Sequence, residues 1–207
     1  MFTETHLLVF CQEKLRIGEP NGITDASWAI LSTCCVARTN DLYSAKISNF
    51  TVSLRHSSSG RYRITFTHER QNASSINETL ICNIENELYV RILKAHLSFF
   101  DDVTGDPCIW MKLHMAASGI QKLIPLSRLE LSNVASNIAL ELGIQTHRSY
   151  KQYAFRHLGF RRLSAMHICT IILMRIGNWN HSTPVVDPTI SRSSARLANA
   201  PIVLVFK

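Results

Sequence analysis

The sequence predicts an α+β fold, mainly α, in which a helical domain carries a small three-stranded antiparallel sheet. Three observations carry that expectation. The stretches Arg61 to Thr67 and Glu78 to Ile84 alternate apolar and polar residues, as half-buried strands do. Longer stretches, above all Glu85 to Phe100 and Leu126 to Leu142, place apolar residues at helical spacing. A hydrophobic content of 46% with 18% charged residues belongs to a chain that folds.

In chain order, Asp25 to Val36 reads as a helix with Asp25 as its N-cap and Trp28, Leu31 and Cys35 as its apolar stripe. Arg38 follows, and a short helix starts near Asn40. Ile47 to Leu54 is a first strand, and His56 to Gly60 is a turn. Arg61 to Thr67 presents Tyr62, Ile64 and Phe66 on one face, Gln71 to Asn77 is a loop, and Glu78 to Ile84 is the third strand. Glu85 to Phe100 is amphipathic, and Gly105 and Pro107 break the chain after it. Residues 109–122 read as irregular or helical. Leu126 to Leu142 is a helix with Gly143 at the position of a C-cap glycine. Ser149 to Leu158 and Ser164 to Arg175 are two further helices. Residues 184–207 read as a tail whose Val203 to Phe206 docks back as a strand, after a domain spanning residues 1–183.

Several classes are excluded by what is missing. No apolar run reaches membrane-spanning length, since Ile168 to Met174 stops at Arg175. The six cysteines show no C-x-x-C spacing and read as reduced and mostly buried, which fits an intracellular compartment. There is no P-loop and no dinucleotide fingerprint, and the nine histidines are too scattered for a metal site, so no cofactor or metal is expected.

Charge is unevenly placed. From Leu142 to Lys207 there are nine Lys/Arg and one acid, Asp187, whereas Met1 to Glu141 carries thirteen Lys/Arg against fourteen acids. Such an excess is the footprint of a phosphate-binding face. Its candidate contacts are His147, Arg148, Lys151, Arg156, Arg161, Arg162 and Arg175.

The order helix, Arg38, short helix, three strands, helices, basic motif and Trp179 resembles the catalytic domain of tyrosine recombinases, over about residues 5 to 183. Ala37-Arg38-Thr39-Asn40-Asp41-Leu42 resembles that family's Gly-Leu-Arg-x-x-Glu-Leu segment. Arg148-Ser149-Tyr150-Lys151 resembles its His-Ser-x-Arg, and a one-residue shift would put His147 in the histidine role. Ile176-Gly177-Asn178-Trp179 resembles its Leu-Gly-His or Gly-Gly-Trp element, with His181 just beyond. His68 or Arg70 lies where a strand-turn lysine would be.

The resemblance implies that Arg38, Arg148, Lys151, Trp179 and His181 surround a scissile phosphate. Fixed cations there stabilise the charge of a phosphorane-like transition state. It also implies duplex DNA as partner, a homo-oligomer assembled on it, and a nuclear location for a relative of mobile-element integrases. Three departures weaken the chemistry. Arg148 stays protonated and cannot act as a base. Lys151 offers a point charge where arginine offers a fork. No tyrosine follows Tyr153, so the attacking tyrosine expected after Trp179 is not in this sequence. The expectation is a DNA-binding protein of the DNA-integration and recombination type, degenerate, with weak or no strand cleavage. The alternative is a non-enzymatic nucleic-acid- or protein-interaction subunit with a basic helical face. The first requires Arg38, Lys151 and Trp179 to converge on one concave surface; the second lets them scatter.

Overall fold

The computed structural model describes residues 2–54, 62–71, 77–115, 121–151, 153–168, 173, 176 and 202–206. Helix α1 (Glu4–Ile17) begins where the Thr3 hydroxyl accepts from the His6 N–H at 3.3 Å. It ends at Gly18, whose φ of 73° lets its N–H reach the Lys14 carbonyl. The next helix, α2, spans Pro20–Cys34 and so starts five residues before the expected Asp25 cap. Proline suits a first helical position because it lacks an N–H to leave unpaired and its φ is already helical. Asp25 therefore lies inside the helix. Helix α2 is buried along nearly its whole length and is the post on which the other helices lean. A short helix, α3 (Thr39–Tyr43), follows as expected.

The three expected antiparallel strands are present as β1 (Phe50–Leu54), β2 (Tyr62–Gln71) and β3 (Asn77–Ile84). The expected start of β1 at Ile47 is replaced by a 3-10 turn, Ile47–Asn49, because the Lys46 N–H donates to the Asn49 side chain and the Ser48 N–H to Asp106. Helix α4 (Glu87–Leu97) is capped by the Asn86 side chain, which accepts from the Tyr89 N–H at 3.2 Å.

The expectation that residues 109–122 are irregular or helical is not met: β4 (Met111–Met115) and β5 (Gln121–Pro125) pair antiparallel as the two arms of a hairpin. The cause is tertiary. The Asn21 side chain of α2 acts as a strand partner to Leu113, donating to its carbonyl (3.2 Å) and accepting from its N–H (2.8 Å).

Helix α5 (Arg128–Glu141) opens with a capping box, Ser127 and Glu130 bonding each other's backbone N–H. Helix α6 (Tyr153–Ala165) starts four residues after the expected Ser149 and runs seven past the expected Leu158. The separate helix expected to start at Ser164 does not start there: Ser164 and Ala165 are the last residues of α6, and a turn at Met166 and His167 follows, with His167 at a φ of 56°. Residues 169–172, 174 and 175 of the expected stretch lie outside the described residues. Last, β6 (Ile202–Phe206) pairs in parallel with β3, Leu80 opposite Ile202 through Ile84 opposite Phe206. Among the described residues the sheet therefore has four strands, ordered β1-β2-β3-β6, rather than three.

One sheet face carries Ile64, Phe66, Leu80, Cys82, Ile84, Leu204 and Phe206, all buried against the helices. The Cys82 thiol sits among those of Cys34 and Cys35, and burial raises its pKa well above the ordinary thiol value. Burial likewise pushes Cys11 up to about 12, so Cys11 and Cys82 stay protonated at neutral pH. A second aromatic knot joins α2, α4 and the hairpin. Trp28 meets Trp110 edge-on at 4.8 Å, and His96 stacks on Trp110 at 6.0 Å. The Trp110 indole N–H donates to the Leu42 carbonyl, which fastens α3 to this core.

Candidate functional site

Arg38 is set at the start of α3 by an unusual residue. Val36, fully buried, has a φ of 51°, a left-handed conformation that costs a β-branched residue strain. It turns the chain out of α2 and points it into α3. The Asp41 carboxylate then accepts from the Arg38 backbone N–H at 2.9 Å and caps the helix. The Arg38 side chain is exposed.

The basic motif is held by consecutive turns. Helix α5 ends with Gly143 at φ 69°, with the Gly143 N–H on the Leu140 carbonyl and the Ile144 N–H on the Ala139 carbonyl. This pair of bonds closes the helix and fixes the exit direction. A 3-10 turn, His147–Ser149, follows. Tyr150 then plunges inward, 9% exposed, and meets the Phe2 ring edge-on at 5.9 Å. One buried tyrosine thereby anchors a segment whose Arg148 and Lys151 remain exposed on either side. His147, next to Arg148, is partly buried.

Helix α6 is seated by Gly159. A methyl group there would lie 2.1 Å from the Thr33 carbonyl oxygen and 3.0 Å from Val36 Cγ2. Only glycine allows this approach, and it puts α6 directly against the strained turn that leads to Arg38. The three α6 arginines face inward tasks. Arg156 is buried, with its guanidinium 5.5 Å from the Phe160 ring. Arg161 donates to the Phe2 carbonyl at 2.6 Å. Arg162 pairs with Glu4 at 2.7 Å and lies 5.2 Å from the Phe206 ring. These contacts bolt α1 and β6 onto α6.

The remaining candidates are elsewhere. His68 is buried on β2, opposite Leu80 and stacked on Phe66 at 6.1 Å. Arg70 sits near the end of β2, opposite Glu78. Trp179, His181 and Arg175 lie outside the described residues. Of the three residues expected to converge, Arg38 and Lys151 are thus the two described; they are exposed at the starts of elements joined through the Val36–Gly159 contact.

Beside the motif is a cleft of about 520 Å³ that the sequence reading missed. Phe2, Tyr150, Tyr153 and Phe160 give it aromatic walls, and Lys151, His157 and Arg161 border it. Its only sequence signal is the helical spacing of Tyr153 and His157, which puts both on one face of α6. Phe2 comes from the other end of the chain and could not have been paired with them by pattern.

The fold is that of the tyrosine recombinases, a helical domain with a small sheet. The chain is similar to XerH site-specific recombinase bound to difH substrate in a pre-cleavage complex, with a TM-score of 0.55 and 14% identity over 96% of this chain and 54% of that one. It is similar to XerH in a post-cleavage complex with palindromic difH substrate (TM-score 0.55, 14% identity, 95% of this chain, 52% of that one). It is also similar to XerA recombinase (TM-score 0.54, 12% identity, 96% of this chain, 65% of that one). The chain thus spans roughly half to two thirds of the length of these structures. No protein-family sequence model matches the chain, and no curated protein matches it in sequence.

Proposed function

We propose that this chain binds duplex DNA through the segment around Arg148 and Lys151, with Arg38 as a further phosphate ligand. The observation that carries the reading is the presentation of Arg148 and Lys151. A closed helix end, a 3-10 turn and the buried Tyr150 hold them outward on a fold shared with DNA-bound XerH. An anchored backbone leaves only the two side chains to be ordered when phosphate binds, and their charges add at short range. The nine Lys/Arg against one acid after Glu141 give this part of the sequence a net positive charge, which favours a polyanion as partner.

Catalysis is a separate matter. Tyr150 is buried against Phe2, and no tyrosine follows Tyr153 in these 207 residues. Strand cleavage through a phosphotyrosine would need a tyrosine from outside these 207 residues, so cleavage by these residues alone is weak or absent. DNA integration or recombination is therefore the class of process in which this domain acts, as a binding partner rather than a complete enzyme.

The test is fluorescence anisotropy on duplex DNA at two salt concentrations. Binding should weaken steeply with salt, because displaced counterions oppose it. Lys151→Ala should weaken it about fivefold and lower the salt slope by about one. Arg38→Ala should act in the same direction. Absence of binding, or binding indifferent to both changes, overturns the proposal and moves the search to protein or RNA partners.

A further inference from the structure

The cleft beside the motif has a composition that a duplex backbone does not use. A phosphate needs cations alone, yet here four aromatic rings line the space as well. Tyr153 is 49% exposed on the first turn of α6, although nothing in the helix requires an aromatic there. His157 follows one turn later on the same face. Lys151 stands at the border, and none of the lining residues is acidic. The volume of about 520 Å³ lies within the range of sites that enclose a small ligand. An apolar peptide segment would match the rings but not the cations. A planar ring joined to a phosphate matches both.

We propose that this cleft receives a nucleobase of DNA that has left its stack, with the base against Tyr153 and its phosphate on Lys151. The inference rests on the DNA-binding reading and deepens it, since it names the form of DNA the site prefers. In an intact duplex every base is stacked and paired, so its edges are open in the grooves but its aromatic faces are covered. A bulge, a nick or a single strand offers the aromatic face. Stacking on an aromatic side chain tolerates any base, so the preference is for structure rather than sequence.

The experiment uses the full chain and three probes of one sequence: an intact duplex, the same duplex with a single 2-aminopurine bulge, and the single strand containing 2-aminopurine. The bulged and single-stranded probes should bind about tenfold more tightly than the intact duplex. Emission of 2-aminopurine should change on binding. Tyr153→Ala should abolish both the preference and the emission change while leaving intact-duplex affinity as it was. Tyr153→Trp should restore them, which separates stacking from a folding defect. Equal affinity for the three probes, or a preference that survives Tyr153→Ala, overturns the inference. The intact-duplex titration reads the earlier proposal independently. Single-strand binding without duplex binding defeats that proposal alone, and duplex binding without a preference defeats this inference alone. No binding to any probe defeats both.

Discussion

Asp25 sits half-buried inside α2, and burial pushes its carboxyl up to about 7, with Lys14 opposing and Glu19, Glu141 and Glu130 reinforcing the rise. The unfolded carboxyl releases its proton near 3.8, so from there to about pH 7 the folded chain holds a proton that the unfolded chain lacks. Stability from this group is full at acid pH and falls as pH rises through that window. His96 runs the other way. Complete burial pushes its pKa from 6.5 down to about 4. The unfolded chain then binds the extra proton, and stability falls as pH drops from 6.5 to 4. The two slopes oppose each other over the shared range. Asp25→Asn should therefore raise the melting temperature at pH 8 by about 5 °C and leave it nearly unchanged at pH 4. The same variant should lose more melting temperature than its parent between pH 6.5 and 4, because the opposing slope of Asp25 is gone while that of His96 remains. Circular-dichroism melts across that range decide it; parallel curves for the two proteins would contradict the assignment. None of this is legible at Asp25 itself. A residue of that type ahead of an apolar stripe reads as an exposed cap, and its burial comes from α1 and α5, which pattern cannot place beside it.

Among the elements, α6 shows where local reading succeeds and where it stops. The motif at its start was legible because Arg148, Ser149, Tyr150 and Lys151 are contiguous. Its length was not, since Gly159 reads as a helix end. Glycine in a helix costs about 1 kcal/mol relative to alanine, and the sequence gives no hint of what offsets that loss. The offset is the close approach to Thr33 and Val36. Gly159→Ala should therefore destabilise the chain by about 2 kcal/mol despite the better helix former, because the clash is with a backbone oxygen that cannot rotate away. Urea denaturation measures this, and an unchanged or raised midpoint would refute the packing argument. The hairpin β4–β5 was missed for a related reason. Its strand pairing to Asn21 links residues 92 apart in sequence.

Across the whole molecule, the class of fold was legible from alternation, helical spacing and the order of motifs, but its closure was not. Strand β6 reads as a plausible strand, while its partner and direction are set by the open edge of β3. Leu204 and Phe206 are buried there, the Glu85 N–H donates to the Phe206 carbonyl at 2.7 Å, and Arg162 lies over the Phe206 ring. Phe206→Ala should cost roughly 3–5 kcal/mol. The loss should appear in thermal melts as a lower midpoint for the whole domain, since sheet and α6 share this residue. A separate early transition confined to β6 would show that closure is not part of the cooperative core.

The parallel pairing of β3 with β6 also sets a timetable. Leu80 must wait for Ile202, so this ladder is a contact of very long sequence separation and is entropically among the last to form. Until then the β3 edge offers unpaired N–H and C=O groups to any extended strand that arrives first, including β6 of a neighbouring molecule. Refolding yield should consequently depend on protein concentration, with exchanged dimers accumulating as chains crowd one another during that wait.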